Sequence, residues 1–231
     1  NDYSEGAHPQ ILDAIYRTNL EQNTGYSEDF HTKNAVRFIK KHIQREDVDV
    51  HILVGGTQTN LITLSAFLRP HQAAICVDTA HINVHETGAI EATGHKVLTV
   101  PSEDGKLTPT LIQKVLDAHT DEHMVQPKLV YLSNSTELGT IYKKAELTAI
   151  REFCKENNLL LFLDGARLGS ALCSVENDLT MSDIAHLTDA FYIGGTKNGA
   201  LFGEALVIAK NSLKEDFRFL IKQRGGMLAK G

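Results

Sequence analysis

The chain has 231 residues, 42% hydrophobic and 23% charged, the mix of an ordinary globular protein that fits one large domain with at most a small appendage. Lys and Arg number 23 against 29 Asp and Glu, a formal charge of −6, and an acidic balance with no basic tract argues against nucleic acid or an anionic membrane as the main partner. No apolar run approaches the roughly 20 residues that cross a bilayer, and the opening NDYSEGAHP lacks the basic-then-apolar order of a signal peptide, so none is expected. Cys76, Cys154 and Cys173 are widely spaced, lack zinc-site spacing, and read as reduced, buried residues of a cytoplasmic protein.

In chain order, His8-Pro9 opens a helix that runs through Ile15 and Tyr16, with Pro in its first turn. Phe30, Val36, Phe38, Ile39 and Ile43 recur at helical spacing and predict a second helix over 28–45. Strands then alternate with helices. Strands are predicted at 51–54, 73–78, 96–100, 129–132, 159–163, 190–193 and 205–208. The helices between and after them are 60–68, 84–93, one capped by Thr108-Pro109, 144–156 and a closing one at 212–223. Strands that are apolar throughout belong in a sheet covered on both faces. The expected fold is therefore α/β, a three-layer sandwich with a mainly parallel central sheet. Gly225-Gly226-Met227 reads as a turn into a further element, so more sequence is expected beyond it.

Ligands of such sheets sit at the carboxyl ends of the strands, and the unusual residues cluster there. Gly55-Gly56-Thr57-Gln58, between a strand and a helix, can turn backbone N–H groups into one concavity and form a phosphate cup. Such glycines also make ordinary turns, and neither the dinucleotide fingerprint nor the nucleotide P-loop is present. Lys197, on the Gly-flanked loop Thr196-Lys197-Asn198-Gly199, is placed where burial could lower its pKa and let it form a Schiff base with an aldehyde, or is a plain turn lysine. Asp164 ends the most apolar strand and needs a partner, either a protonated heterocyclic nitrogen or Arg167 three residues on. Arg167 itself suits a substrate carboxylate. His81, His85 and Glu86 form a local H-x-x-x-H-E group without the pattern of a metal site, so no metal is expected; stacking on an aromatic cofactor or proton transfer fits His81 better, and His85 also reads as a structural histidine.

Together these clusters resemble the low-specificity L-threonine aldolases, beta-eliminating lyase relatives in the aspartate-aminotransferase-like, pyridoxal-phosphate-dependent superfamily of fold type I. Gly56-Thr57-Gln58-Thr59-Asn60 and Ala80-His81 carry part of the match, and Asp164-Gly165-Ala166-Arg167 followed by Thr196-Lys197 carries most of it. The resemblance implies that Lys197 holds pyridoxal 5'-phosphate, His81 stacks on its ring, and Asp164 pairs with the ring nitrogen. Gly56, Thr57 and Gln58 would bind the phosphate. Arg167 would receive the substrate α-carboxylate with Ser4 nearby. It further implies a homodimer or homotetramer with active sites at the subunit interface, a small-molecule amino acid substrate, and a small C-terminal domain outside residues 1–231. Two departures stand out: Thr136 falls where typical members carry an active-site histidine, and Leu228 falls where an arginine that helps bind the phosphate is common, so that Arg224 or Lys230 would have to substitute for it. The implied reaction is cleavage of L-threonine or L-allo-threonine to glycine and an aldehyde, with His85, or a water held by His81 or the phosphate, as base. The alternatives are β-elimination on another amino acid and a non-catalytic interaction protein with the same fold.

Overall fold

A strand covered on both faces reads as a nearly continuous apolar run, and Gln72–Val77 and Leu160–Asp164 are buried from end to end, with polar residues only at one end of each. In the computed structural model, which describes residues 1–230, the strands are β1 (Asp49–Leu53), β2 (Gln72–Val77), β3 (Lys96–Val100), β4 (Gln126–Ser133), β5 (Leu160–Asp164), β6 (Ala190–Gly194) and β7 (Glu204–Ile208). They form one sheet in the order β1-β7-β6-β5-β4-β2-β3. The pairs from β6 across to β3 are parallel. β7 runs against both of its neighbours, β6 and β1. Six strands therefore share one direction, as a mainly parallel sheet requires, and β7 alone is reversed.

The helices are α1 (Pro9–Thr18), α2 (Phe30–Ile43), α3 (Gly56–Phe67), α4 (His81–Val84), α5 (Pro109–Asp117), α6 (Lys144–Glu156), α7 (Leu168–Leu172), α8 (Met181–Leu187) and α9 (Phe217–Gln223). α5, α6, α8 and α2 touch in series and lie against β3, β4, β5, β6 and β1. α3 packs on α9 and β7, and α7 on β6. The core between them includes Tyr131, Phe162, Phe191 and Tyr192, each at most 1% exposed, and full burial of a large apolar side chain is worth about 1.5–3 kcal/mol. No helix among the described residues is long and apolar enough to cross a membrane.

Local chemistry sets the boundaries. Thr108 caps α5 by accepting from Leu111 N at 3.3 Å, and Asp29 caps α2 by accepting from Thr32 N at 2.7 Å. The expected helix over 84–93 does not form. α4 stops at Val84 and a 3-10 turn occupies Glu91–Thr93, because Thr87 (φ 53°) and Gly88 (φ 70°) turn left-handed between them. The closing helix is likewise split: Asp216 at φ 56° separates the 3-10 turn Asn211–Leu213 from α9. α3 begins at Gly56, ahead of the expected start at Asn60. α7 and α8 were not anticipated from the sequence, although Thr180 and Asp183 form a capping box that marks the start of α8. Of the three cysteines, Cys76 and Cys154 are buried as expected, whereas Cys173 is exposed just past α7, on a segment too short to cover it.

Candidate active site

Because six strands share one direction, their carboxyl ends lie along one edge of the sheet, and the reversed β7 starts at that same edge. A cleft of about 360 Å³ opens there. Its walls come from the loop after β1 (Val54 to Thr57), from His81 and His85, from Glu137 after β4, from Asp164 and Ala166 after β5, from Tyr192, Thr196 and Lys197 on and after β6, from Glu204 at the start of β7, and from Tyr3.

Asp164, 4% exposed, is the most heavily bonded group of the cleft. Its Oδ1 accepts from the Tyr192 hydroxyl at 2.5 Å and from Ala166 N at 3.0 Å. Its Oδ2 accepts from Asn60 Nδ2 at 3.1 Å and from the Tyr131 hydroxyl. Burial, and then the Asp164 charge, push both phenols well above the ordinary tyrosine range, so they remain donors. The expected alternative, an Asp164–Arg167 brace, is not formed. Arg167 turns to the N-terminal segment, donating from Nε to Asp2 Oδ2 and from Nη2 to Asp2 Oδ1 at 3.1 Å.

Asn60 also ties Asp164 to a second carboxylate. Its Nδ2 donates to Glu86 Oε1 at 2.7 Å, and the same oxygen lies 2.8 Å from His81 Nδ1. The Glu86 side chain is fully buried. Its bond to His81, opposed by desolvation and aided by its charge, raises the imidazole above the usual 6.5. His85 caps the end of α4, exposed, with its ring centroid 5.6 Å from that of His81.

α3 starts at the cleft with no side chain capping it. Its first helical bond runs from Thr59 N to Gly55 O at 3.0 Å, which leaves the N–H groups of Gly56, Thr57 and Gln58 without helical partners. At Gly56 a Cβ would lie 3.1 Å from the Tyr192 hydroxyl, a contact that would press on the Tyr192–Asp164 bond. Gln58 Oε1 is buried without a partner among the described residues.

Lys197 rides on a loop whose ends are pinned together. Gly195 N and Thr196 N both donate to Gly203 O, at 2.9 and 3.2 Å. Glu204 accepts from Gly195 N at 2.9 Å, and burial pushes its carboxyl above the usual range. Lys197 Nζ stands 5.6 Å from the centroid of the Tyr3 ring.

The structure thus brings Gly56, Thr57, His81, His85, Asp164 and Lys197 to one cleft. Ser4 is exposed and donates to Asn1 Oδ1 at 2.7 Å, while its neighbour Tyr3 is the cleft residue. Arg224 is exposed at the end of α9, away from the cleft walls. Tyr131, Tyr192, Glu137 and Glu204 were not anticipated from the sequence. A phenol inside an apolar strand demands a partner, so Tyr131 and Tyr192 had a signal; Glu204 had none while the direction of β7 was unknown.

Residues 8–231 match the family model described as beta-eliminating lyase. A low specificity L-threonine aldolase of Pseudomonas sp. (strain NCIMB 10558) is 34% identical over 234 residues, which span all of this chain and 67% of that protein. The enzyme of the same description from Pseudomonas aeruginosa is 33% identical over 232 residues, with equal coverage. Among solved structures, a threonine aldolase of Leishmania major superposes with a TM-score of 0.99 at 57% identity, over 100% of this chain and 68% of that one. Cystalysin of Treponema denticola, whose structure contains pyridoxal 5'-phosphate, has the same fold at 16% identity, with a TM-score of 0.75 over 99% of this chain and 60% of that one. The chain therefore spans 67% to 68% of the length of its threonine aldolase relatives. By sequence and by backbone it belongs to the beta-eliminating lyase family, with low specificity L-threonine aldolases among its relatives.

Proposed function

We propose that residues 1–231 form the cofactor-binding large domain of a pyridoxal-phosphate-dependent lyase that cleaves L-threonine and L-allo-threonine to glycine and an aldehyde. The observation that carries this reading is the Asp164 carboxylate, held by two phenols, an amide and a backbone N–H in the wall of the same cleft as Lys197. The similarity to the Leishmania major threonine aldolase supports the choice of substrate.

The donor set fits the cofactor. The uncapped start of α3 offers the N–H groups of Gly56, Thr57 and Gln58 to a phosphate. Asp164 offers a buried negative charge to a protonated ring nitrogen, and Lys197 offers an amine to the aldehyde. When bound, pyridoxal phosphate supplies an electron-accepting ring beside the amino acid Cα.

The protein's own groups do the rest. Tyr131, Tyr192 and Asn60 fix the position of Asp164 and keep its charge satisfied in a buried place. His81, oriented by Glu86, presents its ring to the cleft. Arg167 takes the substrate α-carboxylate in its planar fork once Asp2 leaves, and so decides which Cα bond is aligned for breaking. Arg224 has no part in this reading, since it stands outside the cleft. We further read the protein as a cytoplasmic homodimer or homotetramer with active sites at subunit interfaces. The reading is supported by Ile11, Leu12, Ile15 and Tyr16, which α1 leaves exposed, and by three free cysteines.

Borohydride reduction of the full-length protein followed by peptide mapping tests the assignment. The expected result is a pyridoxyl adduct on Lys197, together with glycine and acetaldehyde from L-threonine. An adduct elsewhere, or none after adding the cofactor, overturns it; an adduct with ammonia and a keto acid as the only products makes β-elimination the reaction.

A further inference from the structure

At the position where the resemblance expects a histidine, the side chain does not face the cleft. Thr136 is 4% exposed. Its Oγ1 lies 2.7 Å from Thr140 Oγ1 and accepts from Thr140 N at 3.1 Å, while Thr136 N donates to Thr140 O at 2.9 Å. Gly105 closes over it so tightly that a Cβ there would lie 3.2 Å from the Thr136 hydroxyl. This locked turn presents the next residue, Glu137, to the cleft beside His81, Asp164 and Lys197.

Glu137 is half-buried and makes no hydrogen bond or ion pair with any described residue. The other two carboxylates of the cleft wall are engaged, Asp164 by four donors and Glu204 by Gly195 N. The Glu137 charge is felt by both His81, which lines the same cleft, and Arg167.

Resting on the reading above, we propose that Glu137 is the catalytic residue that accepts the proton of the substrate β-hydroxyl. Glu137 is the unengaged acceptor in the cleft wall that holds Lys197 and Asp164, and its charge reaches Arg167, which takes the α-carboxylate in this reading. The competing base, His85, would gain a positive charge with its ring 5.6 Å from that of His81, whereas Glu137 becomes neutral. In the step, the O–H bond breaks and its proton passes to Glu137, the C–O bond becomes a carbonyl, and the Cα–Cβ bond breaks with its electron pair leaving on Cα. Cα then regains one proton to give glycine, and Glu137 returns its own to solvent.

The test uses full-length holoenzyme carrying Glu137→Gln or Glu137→Asp. The readouts are L-threonine cleavage, exchange of the glycine α-protons in D2O followed by NMR, and the visible spectrum of the bound cofactor. Glycine has no β-hydroxyl, so its exchange isolates the rest of the site. Glu137→Gln is expected to lower kcat for cleavage by about 100-fold or more while exchange stays within about threefold and the spectrum is unchanged. Glu137→Asp is expected to recover part of the lost rate. Cleavage retained within about threefold, or cleavage and exchange lost together, overturns the role. Wild-type protein that binds the cofactor but does not cleave threonine overturns the underlying reading instead.

Discussion

Arg167 and Asp2 are joined by two hydrogen bonds across 165 positions of sequence, guanidinium to carboxylate, next to the cleft residues Ala166 and Tyr3 in the chain. The pair lowers the Asp2 carboxyl below its usual 3.8 and raises Arg167, through the hydrogen bond first and the charge second. Two parallel N–H···O bonds are the geometry by which a guanidinium recognises a carboxylate. In the proposed function Asp2 therefore holds the fork that the substrate α-carboxylate would need, and binding would exchange one carboxylate for the other.

Asp2→Asn is expected to lower KM for L-threonine by freeing Arg167. The pair is a third exposed, and exposed ion pairs are worth at most about 1 kcal/mol, so the gain is bounded at about fivefold. Steady-state kinetics on the full-length enzyme decide it. A raised KM would mean that Asp2 helps to hold the substrate in place.

Glu86 sets the charge of His81. Because the folded imidazole value is raised, the stability contributed by this pair is fully present below pH 6.5, the unfolded value, and is lost as pH rises through the raised folded value. Glu86→Gln is expected to bring the His81 titration down, and the stability gap between the two proteins to close as pH climbs past that point. NMR titration of the His81 ring and melting curves across pH measure both effects. An unmoved His81 titration would show that the neighbours of Glu86, not Glu86 itself, control the ring.

Gly165 lies where the loop after β5 presses on β6. A Cβ there would lie 1.8 Å from Tyr192 O and 3.1 Å from Tyr192 C, and Gly194 N already donates to Gly165 O at 2.9 Å. Neither backbone can yield without moving Asp164 or Tyr192. Gly165→Ala is therefore expected to cost at least about 1–3 kcal/mol of stability and to weaken cofactor binding as well. Thermal melting and cofactor titration check the two effects together; an unchanged melting point would show that the loop can slide.

The strand centres and their polar tips were legible because both depend on local composition: a short apolar run such as Leu159-Leu160-Leu161-Phe162-Leu163, bounded by polar residues, reads as a buried strand, and an Asp at its end needs a partner. What escaped depends on pairing across the chain. Glu86 belonged on paper to a helical run with His85, yet its carboxylate is drawn inward to Asn60 and His81 while Thr87 and Gly88 break the helix. Thr136 stands where the family carries a histidine, but its hydroxyl is spent on Thr140 and the turn puts Glu137 in the cleft wall instead. Arg167 had an acidic residue three positions away and took one from the far end of the chain instead. In each case the residue type was informative and the partner was not, because the partner is fixed by turns and strand order.

The reversal of β7 has a mechanical consequence for Lys197. A parallel return from β6 would demand a crossover of a dozen or more residues, and the lysine would ride on a long arc with correspondingly more freedom to lose. The antiparallel return makes the lysine loop the tip of a ribbon whose two strands lie inside the sheet, clasped at Gly203. The base of the lysine loop cannot fray as a surface segment would; opening it means parting β6 from β7. The lysine is thereby anchored to two interior strands of the sheet.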